Sequence, residues 1–133
     1  MKIEKIEGVG GKYASKLQKA GVRTTNALLR VAASKKGRQE LATKSGISET
    51  LILEWVNLAD LMRIKGVGEE FSDLLEEAGV DSVKELRNRR AANLHKAIME
   101  TNEAKKLVRR APSLSEVEGW IDQAKKLDPV VTH

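Results

Sequence analysis

Three observations predict an all-α protein. Apolar residues recur at helical spacing, strand-like alternation is absent, and one glycine-centred pattern occurs twice along the chain. The pattern Ile6-Glu7-Gly8-Val9-Gly10 returns as Ile64-Lys65-Gly66-Val67-Gly68, 58 residues later. The register persists, with Leu17, Ala20, Gly21, Val22, Thr24 and Leu28 matching Leu75, Ala78, Gly79, Val80, Ser82 and Leu86. A weaker match at an offset of 65 relates Ser48, Trp55, Val56 and Ala59 to Ser113, Trp120, Ile121 and Ala124. The second copy therefore holds about seven extra residues, placed between Arg87 and Ala111. The predicted organisation is two related units, 1–60 and 61–127, and a tail, 128–133. No Pro/Gly/Ser linker divides them, and Trp55 to Ile64 reads as helix entering the second glycine turn. Two units packed as one body are expected.

Within each unit the helix boundaries are written in local chemistry. Gly21 follows Leu17-Gln18-Lys19-Ala20, so Val22 can pack back on Leu17 in a Schellman stop, and Leu75, Gly79 and Val80 repeat the arrangement. Thr24 and Ser82 stand where N-caps belong, and Ser82 with Glu85 has the spacing of a capping box. Gly46 stops one helix and Ser48 starts the next, with Ile47 and Ile52 at staple spacing. Leu51, Ile52, Trp55, Val56 and Ala59 continue at helical period. Pro112 and Pro129 fall in a loop and in the tail.

Composition removes several function classes. The 133 residues contain no cysteine and two histidines, His95 and His133. Disulfides, a thiolate nucleophile, a Cys-based zinc site and a Ser-His-Asp triad are excluded or nearly so. Aromatics are 3% of the chain, so Leu, Ala, Val and Ile must build the core. No apolar run approaches the roughly 20 residues of a membrane helix, and Met1–Gly10 does not read as a signal peptide. A cytoplasmic protein without membrane contact is expected.

Net charge is +5, and its distribution is uneven. Residues 1–60 carry 11 basic against 6 acidic side chains, whereas residues 61–133 carry 13 of each. Gly66–Leu86 has seven acidic residues against Lys84 alone, and Arg87–Arg110 has eight basic against two acidic. Such blocks set up local fields that the average conceals.

The glycine turn is where binding chemistry is expected. A glycine can end one helix in the left-handed conformation without a Cβ penalty. Val9 or Val67 anchors the turn inward. The second glycine opens the next helix, whose free N–H groups and positive end suit a phosphate. Such contacts read the backbone, not the base sequence. The flanks separate the two copies. Gly11, Lys12, Lys16 and Lys19 follow the first and form a basic stripe at helical spacing. Glu69, Glu70, Asp73, Glu76 and Glu77 follow the second and repel phosphate.

Ile3, Ile6, Gly8, Val9, Gly10, Ala14 and Leu17 form a pattern that resembles the helix-hairpin-helix family. Leu61, Ile64, Gly66, Val67, Gly68, Ser72 and Leu75 repeat it, with Ser72 in place of the usual alanine. Ile6–Leu61, with its Gly46-Ile47-Ser48 turn, is also similar to the small N-terminal domains of RecA-like recombinases. Over its whole length the chain resembles a bacterial family of uncharacterised tandem helix-hairpin-helix proteins, through Leu61–Gly68 and Pro112–Ile121. The resemblance implies two helical bundles like SAM domains and non-sequence-specific DNA binding, usually beside a catalytic domain that this sequence does not show.

Competing chemistries are weaker. Glu69, Asp73 and Glu76 line one exposed helix with nothing converging on them, so no metal site is expected. Gly8-Val9-Gly10-Gly11-Lys12 lacks the spacing and preceding strand of a phosphate-binding NTPase loop. His95 reads as a partly exposed structural residue, and Trp55 and Trp120 as core. Arg87, Arg89, Arg90, Arg109 and Arg110, with Lys105 and Lys106, either extend a phosphate-tracking surface or neutralise the acidic stripe. The expected function is non-enzymatic and without cofactor: binding of nucleic-acid backbone, DNA in preference to RNA, by Gly8, Gly10, Gly11, Lys12, Lys16 and Lys19. The alternative is a protein-interaction adaptor or self-associating scaffold that docks through opposite charge blocks.

Overall fold

The structure is a computed structural model describing residues 1–133. It is all-α. A 3-10 turn at Ile3–Lys5 precedes eight helices: α1 (Gly10–Lys19), α2 (Thr25–Ala32), α3 (Lys35–Ser45), α4 (Glu49–Leu61), α5 (Glu69–Glu77), α6 (Val83–Leu86), α7 (Ala91–Lys105) and α8 (Leu114–Lys126). The sole extended pairing is an isolated antiparallel bridge between Lys2 and Thr24.

The chain divides into two compact units. The first contains Met1–Asp60 together with Val130–His133, and the second contains Leu61–Pro129. The last four residues thus belong to the first unit, where the sequence reading places a separate tail. Arg38 explains the attachment. Its buried guanidinium donates to the carbonyls of Ala32 (3.1 Å) and Ala33 (2.8 Å) at the end of α2, and to Thr132 O (2.6 Å). Thr132 N returns a bond to Ala33 O at 2.9 Å, Val131 is buried, and His133 Nε2 meets Asn57 Oδ1 at 3.1 Å.

Helix ends follow local chemistry closely. Val22 N donates to Leu17 O (2.8 Å) and Gly21 N to Gln18 O (3.0 Å), with Gly21 at φ 90°. Val80 N to Leu75 O (2.9 Å) and Gly79 N to Glu76 O (3.0 Å) repeat it, with Gly79 at φ 101°. Both are Schellman stops. Thr24 Oγ1 caps α2 through Ala27 N, and Ser82 Oγ caps α6 through Glu85 N. Ile47 and Ile52 are both buried beside the Ser48 cap of α4.

Two details differ from the sequence reading. Ser82 Oγ accepts from Glu85 N without forming a full capping box, and the Glu85 carboxylate meets Arg89 at 3.4 Å. The full capping box is at Ser113–Glu116, where each side chain bonds the other's backbone N–H. Helix α4 stops at Leu61, not Ile64, and Ile64 N turns back to Leu61 O at 3.1 Å. The two copies are also unequal: α6 is one turn where α2 has eight residues, and α7 has 15 where α3 has 11.

In the first unit α2 and α1 pack on α3. Ile3, Ile6, Val9, Leu17, Leu28, Leu41, Ile52 and Trp55 are buried there. In the second, α7 packs on α5 and α8, and α6 on α8. Ile64, Val67, Leu75, Val83, Leu94, Ile98, Val117 and Trp120 share one core.

Candidate nucleic-acid interface

Each glycine turn rests on a tryptophan from the last long helix of its unit. A Cβ placed on Gly8 would lie 3.6 Å from Trp55 Nε1, and one on Gly66 would lie 3.3 Å from Trp120 Nε1. Both glycines have positive φ, 89° and 95°. Val9 and Val67 point into the core and are buried. An aromatic ring from the following helix leans on each indole. Tyr13 lies 5.1 Å from Trp55 at 59°, and Phe71 lies 5.3 Å from Trp120 at 51°. Tyr13 and Phe71 are 58 residues apart, so the repeat itself carried the signal for this pair, which the sequence reading overlooked.

The copies part at the second glycine. Gly10 has φ 59° and is the first residue of α1, whereas Gly68 is an extended N-cap of α5 at φ −110°. The opening turn of α1 contains no carboxylate, and its leading N–H groups have no intrahelical acceptor. Gly8, Gly10, Gly11 and Lys12 are exposed around it. Lys16 is half-buried and Lys19 exposed further along the helix. The structure therefore gathers all six candidate residues on one short segment. Exposed Glu7 within the turn is the one carboxylate among them.

Around the second turn the same positions are spent or opposed. Glu69 and Glu70 occupy the first turn of α5, where they complement the helix dipole. Gln123 of α8 clamps Lys65, accepting from its N–H at 2.8 Å and donating to its carbonyl at 3.0 Å. The equivalent position in α4 is Leu58, which has no amide to offer. No periodicity marks Gln123, so sequence reasoning had nothing by which to find it.

Of the five arginines proposed as a second surface, Arg87, Arg89 and Arg110 each meet a specific partner, and Arg90 and Arg109 line cavities. Arg87 donates to Lys125 O (3.1 Å), and Arg89 pairs with Glu85. Arg90 is the N-cap residue of α7 and lines a cavity of about 440 Å³ with Arg89, Glu118, Asp122 and Lys125. Arg109 lines another of about 570 Å³ with Glu70, Glu103 and Lys106. Arg110 grips Glu116 with two bonds, 2.8 and 3.2 Å, and lies 5.9 Å over the Phe71 ring. The Arg110 bond and the Ser113 backbone hold the Glu116 carboxyl down at about 2.

Asp73, Glu76 and Glu77 do bring carboxylate oxygens within 4.8 Å of one another. Lys105 of α7 reaches this group and pairs with Glu77, whose hydrogen bond raises the lysine's pKa. Neutralisation within the unit thus reaches part of the acidic stripe. His95 Nε2 lies 3.1 Å from Pro112 O, a structural contact. No helix is long and apolar enough to cross a membrane.

Comparison with known families matches residues 7–127 to a domain of unknown function, DUF4332. The chain belongs to that family. The DUF4332 match spans both glycine turns and both tryptophan helices. No match was found among curated proteins or among solved structures.

Proposed function

We propose that this DUF4332 chain is a non-enzymatic module that binds nucleic-acid backbone, DNA in preference to RNA, through its first glycine turn. The carrying observation is the contrast between two copies of one turn. The first opens a helix with two glycines, no first-turn carboxylate and a lysine stripe. The second opens with Glu69 and Glu70. In this reading the α1 N–H groups hold one phosphate, and Lys12, Lys16 and Lys19 follow the strand. The helix-hairpin-helix resemblance supports the same use of the turn. The ion pairs Lys105–Glu77, Arg89–Glu85 and Arg110–Glu116 satisfy charge inside the second unit. That leaves less unmatched charge for the adaptor alternative.

Binding should be weak and steeply salt-dependent, with a log–log slope of roughly −3 to −4 for about three to five phosphates. The test is a duplex-DNA titration at two salt concentrations. Lys12→Glu with Lys16→Glu should abolish binding, and Glu69→Lys with Glu70→Lys should strengthen it. Wild-type protein that binds neither DNA nor RNA at ~20 mM salt, where counterion release is most favourable, would overturn the proposal.

A further inference from the structure

The six-residue site leaves Tyr13 unassigned, although Tyr13 touches both its foundation and its charge. The ring leans on Trp55, over which Gly8 turns. Lys16 lies one helical turn further along α1, with Nζ 6.0 Å from the Tyr13 centroid. An i, i+3 pair on a helix surface brings such side chains together. A cation near 6 Å from a ring centroid is attracted by the ring quadrupole.

We infer that Tyr13 is a positioning residue for phosphate binding, holding the Lys16 ammonium beside the first glycine turn. The inference rests on the nucleic-acid reading of that turn. A free lysine spreads its charge over many rotamers, and ordering it upon binding costs conformational entropy. A ring that already attracts the ammonium removes part of that cost.

The second unit is the internal control. Phe71 takes the place of Tyr13 and packs on Trp120 in the same tilted manner. Leu74, buried in the core, stands where Lys16 would be. The cation over Phe71 comes instead from Arg110, which is bound twice to Glu116. The aromatic pair therefore recurs in both units as packing. Only in the first does it face a lysine of the candidate site.

A double-mutant cycle on the full chain tests this, read by DNA affinity. Tyr13→Leu should weaken binding about 3- to 5-fold, and Tyr13→Phe should restore it, because the ring is what acts. Lys16→Gln should reduce the salt slope by about 0.9. In the Lys16→Gln background Tyr13→Leu should have no further effect. Phe71→Leu, an equivalent loss of packing, should leave affinity unchanged. Should Tyr13→Leu unfold, the native protein supplies a second measurement. The Lys16 side-chain methylene protons should resonate upfield of those of Lys12 and Lys19, shifted by the Tyr13 ring current. Additive effects in the cycle, or Lys16 resonances like those of Lys12, would overturn the inference while leaving the site standing. Wild-type protein without nucleic-acid affinity would overturn both.

Discussion

Gly10 and Gly68 hold the same place in the repeat and differ in backbone conformation. Gly10 sits at φ 59° with open space around a would-be Cβ, so its constraint is conformational and not steric. Gly68 at φ −110° has neither a left-handed backbone nor a steric neighbour, and its constraint is its N-cap position on α5. Gly10→Ala should cost about 1–2 kcal/mol from the left-handed backbone. Gly68→Ala should cost less, about 0.5–1 kcal/mol, because alanine is a poorer N-cap than glycine. Urea unfolding of the two variants checks the contrast. Gly37 illustrates the opposite limit. It lies in the first turn of α3 with an ordinary φ, yet an added Cβ would sit 2.1 Å from Val31 O. Backbone must move to admit it, so Gly37→Ala should cost about 1–3 kcal/mol, in the range of overpacking, seen as a lowered Tm.

At the scale of the element, α8 is the best-capped helix. Ser113 and Glu116 bond reciprocally, and Arg110 clamps the Glu116 carboxylate from outside. Ser113→Ala should cost about 1 kcal/mol, measured by denaturant unfolding. The pH dependence has a definite sign. Glu116 has a folded pKa depressed from 4.5 to about 2. Its stabilising contribution is therefore full above its ordinary value of 4.5 and is lost as pH falls from there through about 2. Side-chain carbon NMR should show Glu116 titrating near 2 in the wild type. In Arg110→Gln, which removes the largest cause, the midpoint should rise. An unchanged midpoint would show that Arg110 does not hold the carboxylate in solution. Ser82 and Ser113 share the Ser-x-x-Glu signature; the sequence reading places a capping box at Ser82, and the reciprocal bonds form at Ser113. Only in the folded state does Arg89 engage Glu85, so the same four-residue signature ends in different bonding.

For the molecule as a whole, the notable connection runs from one end of the chain to Arg38. Burial lowers the pKa of that guanidinium, and the nearby Glu49 charge opposes the shift. Three carbonyls satisfy it, one of them from Thr132. Arg38→Leu would leave these acceptors without their donor, and unsatisfied buried groups cost about 1–3 kcal/mol each. A loss of about 2–4 kcal/mol is expected, allowing water to recover part of it. Hydrogen exchange offers a site-resolved check. The Thr132 amide, bonded to Ala33 O, should be protected in the wild type and exchange rapidly in Arg38→Leu. Equal exchange in both would show that residues 130–133 are held without the arginine.

The sequence by itself determined what depends on neighbours along the chain: the helical class, both Schellman stops at Gly21 and Gly79, the caps at Thr24, Ser82 and Ser48, and the inward valines of the two glycine turns. These follow from backbone sterics and hydrogen bonds spanning three to five residues, which leave periodic and positional traces. The six candidate binding residues are named from the sequence too, because they are nearly contiguous and their charge can be counted. Tertiary structure alone decided the rest. Gln123 reaches Lys65 across 58 residues and Arg38 reaches Thr132 across 94. Neither bond has a sequence period, since the separation is set by how helices pack and not by their pitch. The pairing of individual basic residues has the same origin: a block of eight looks uniform along the chain, but packing brings Arg89, Lys105 and Arg110 to particular carboxylates. The conformation of Gly10 against Gly68 is decided there too, since identical glycines permit both geometries and only the surrounding packing selects one.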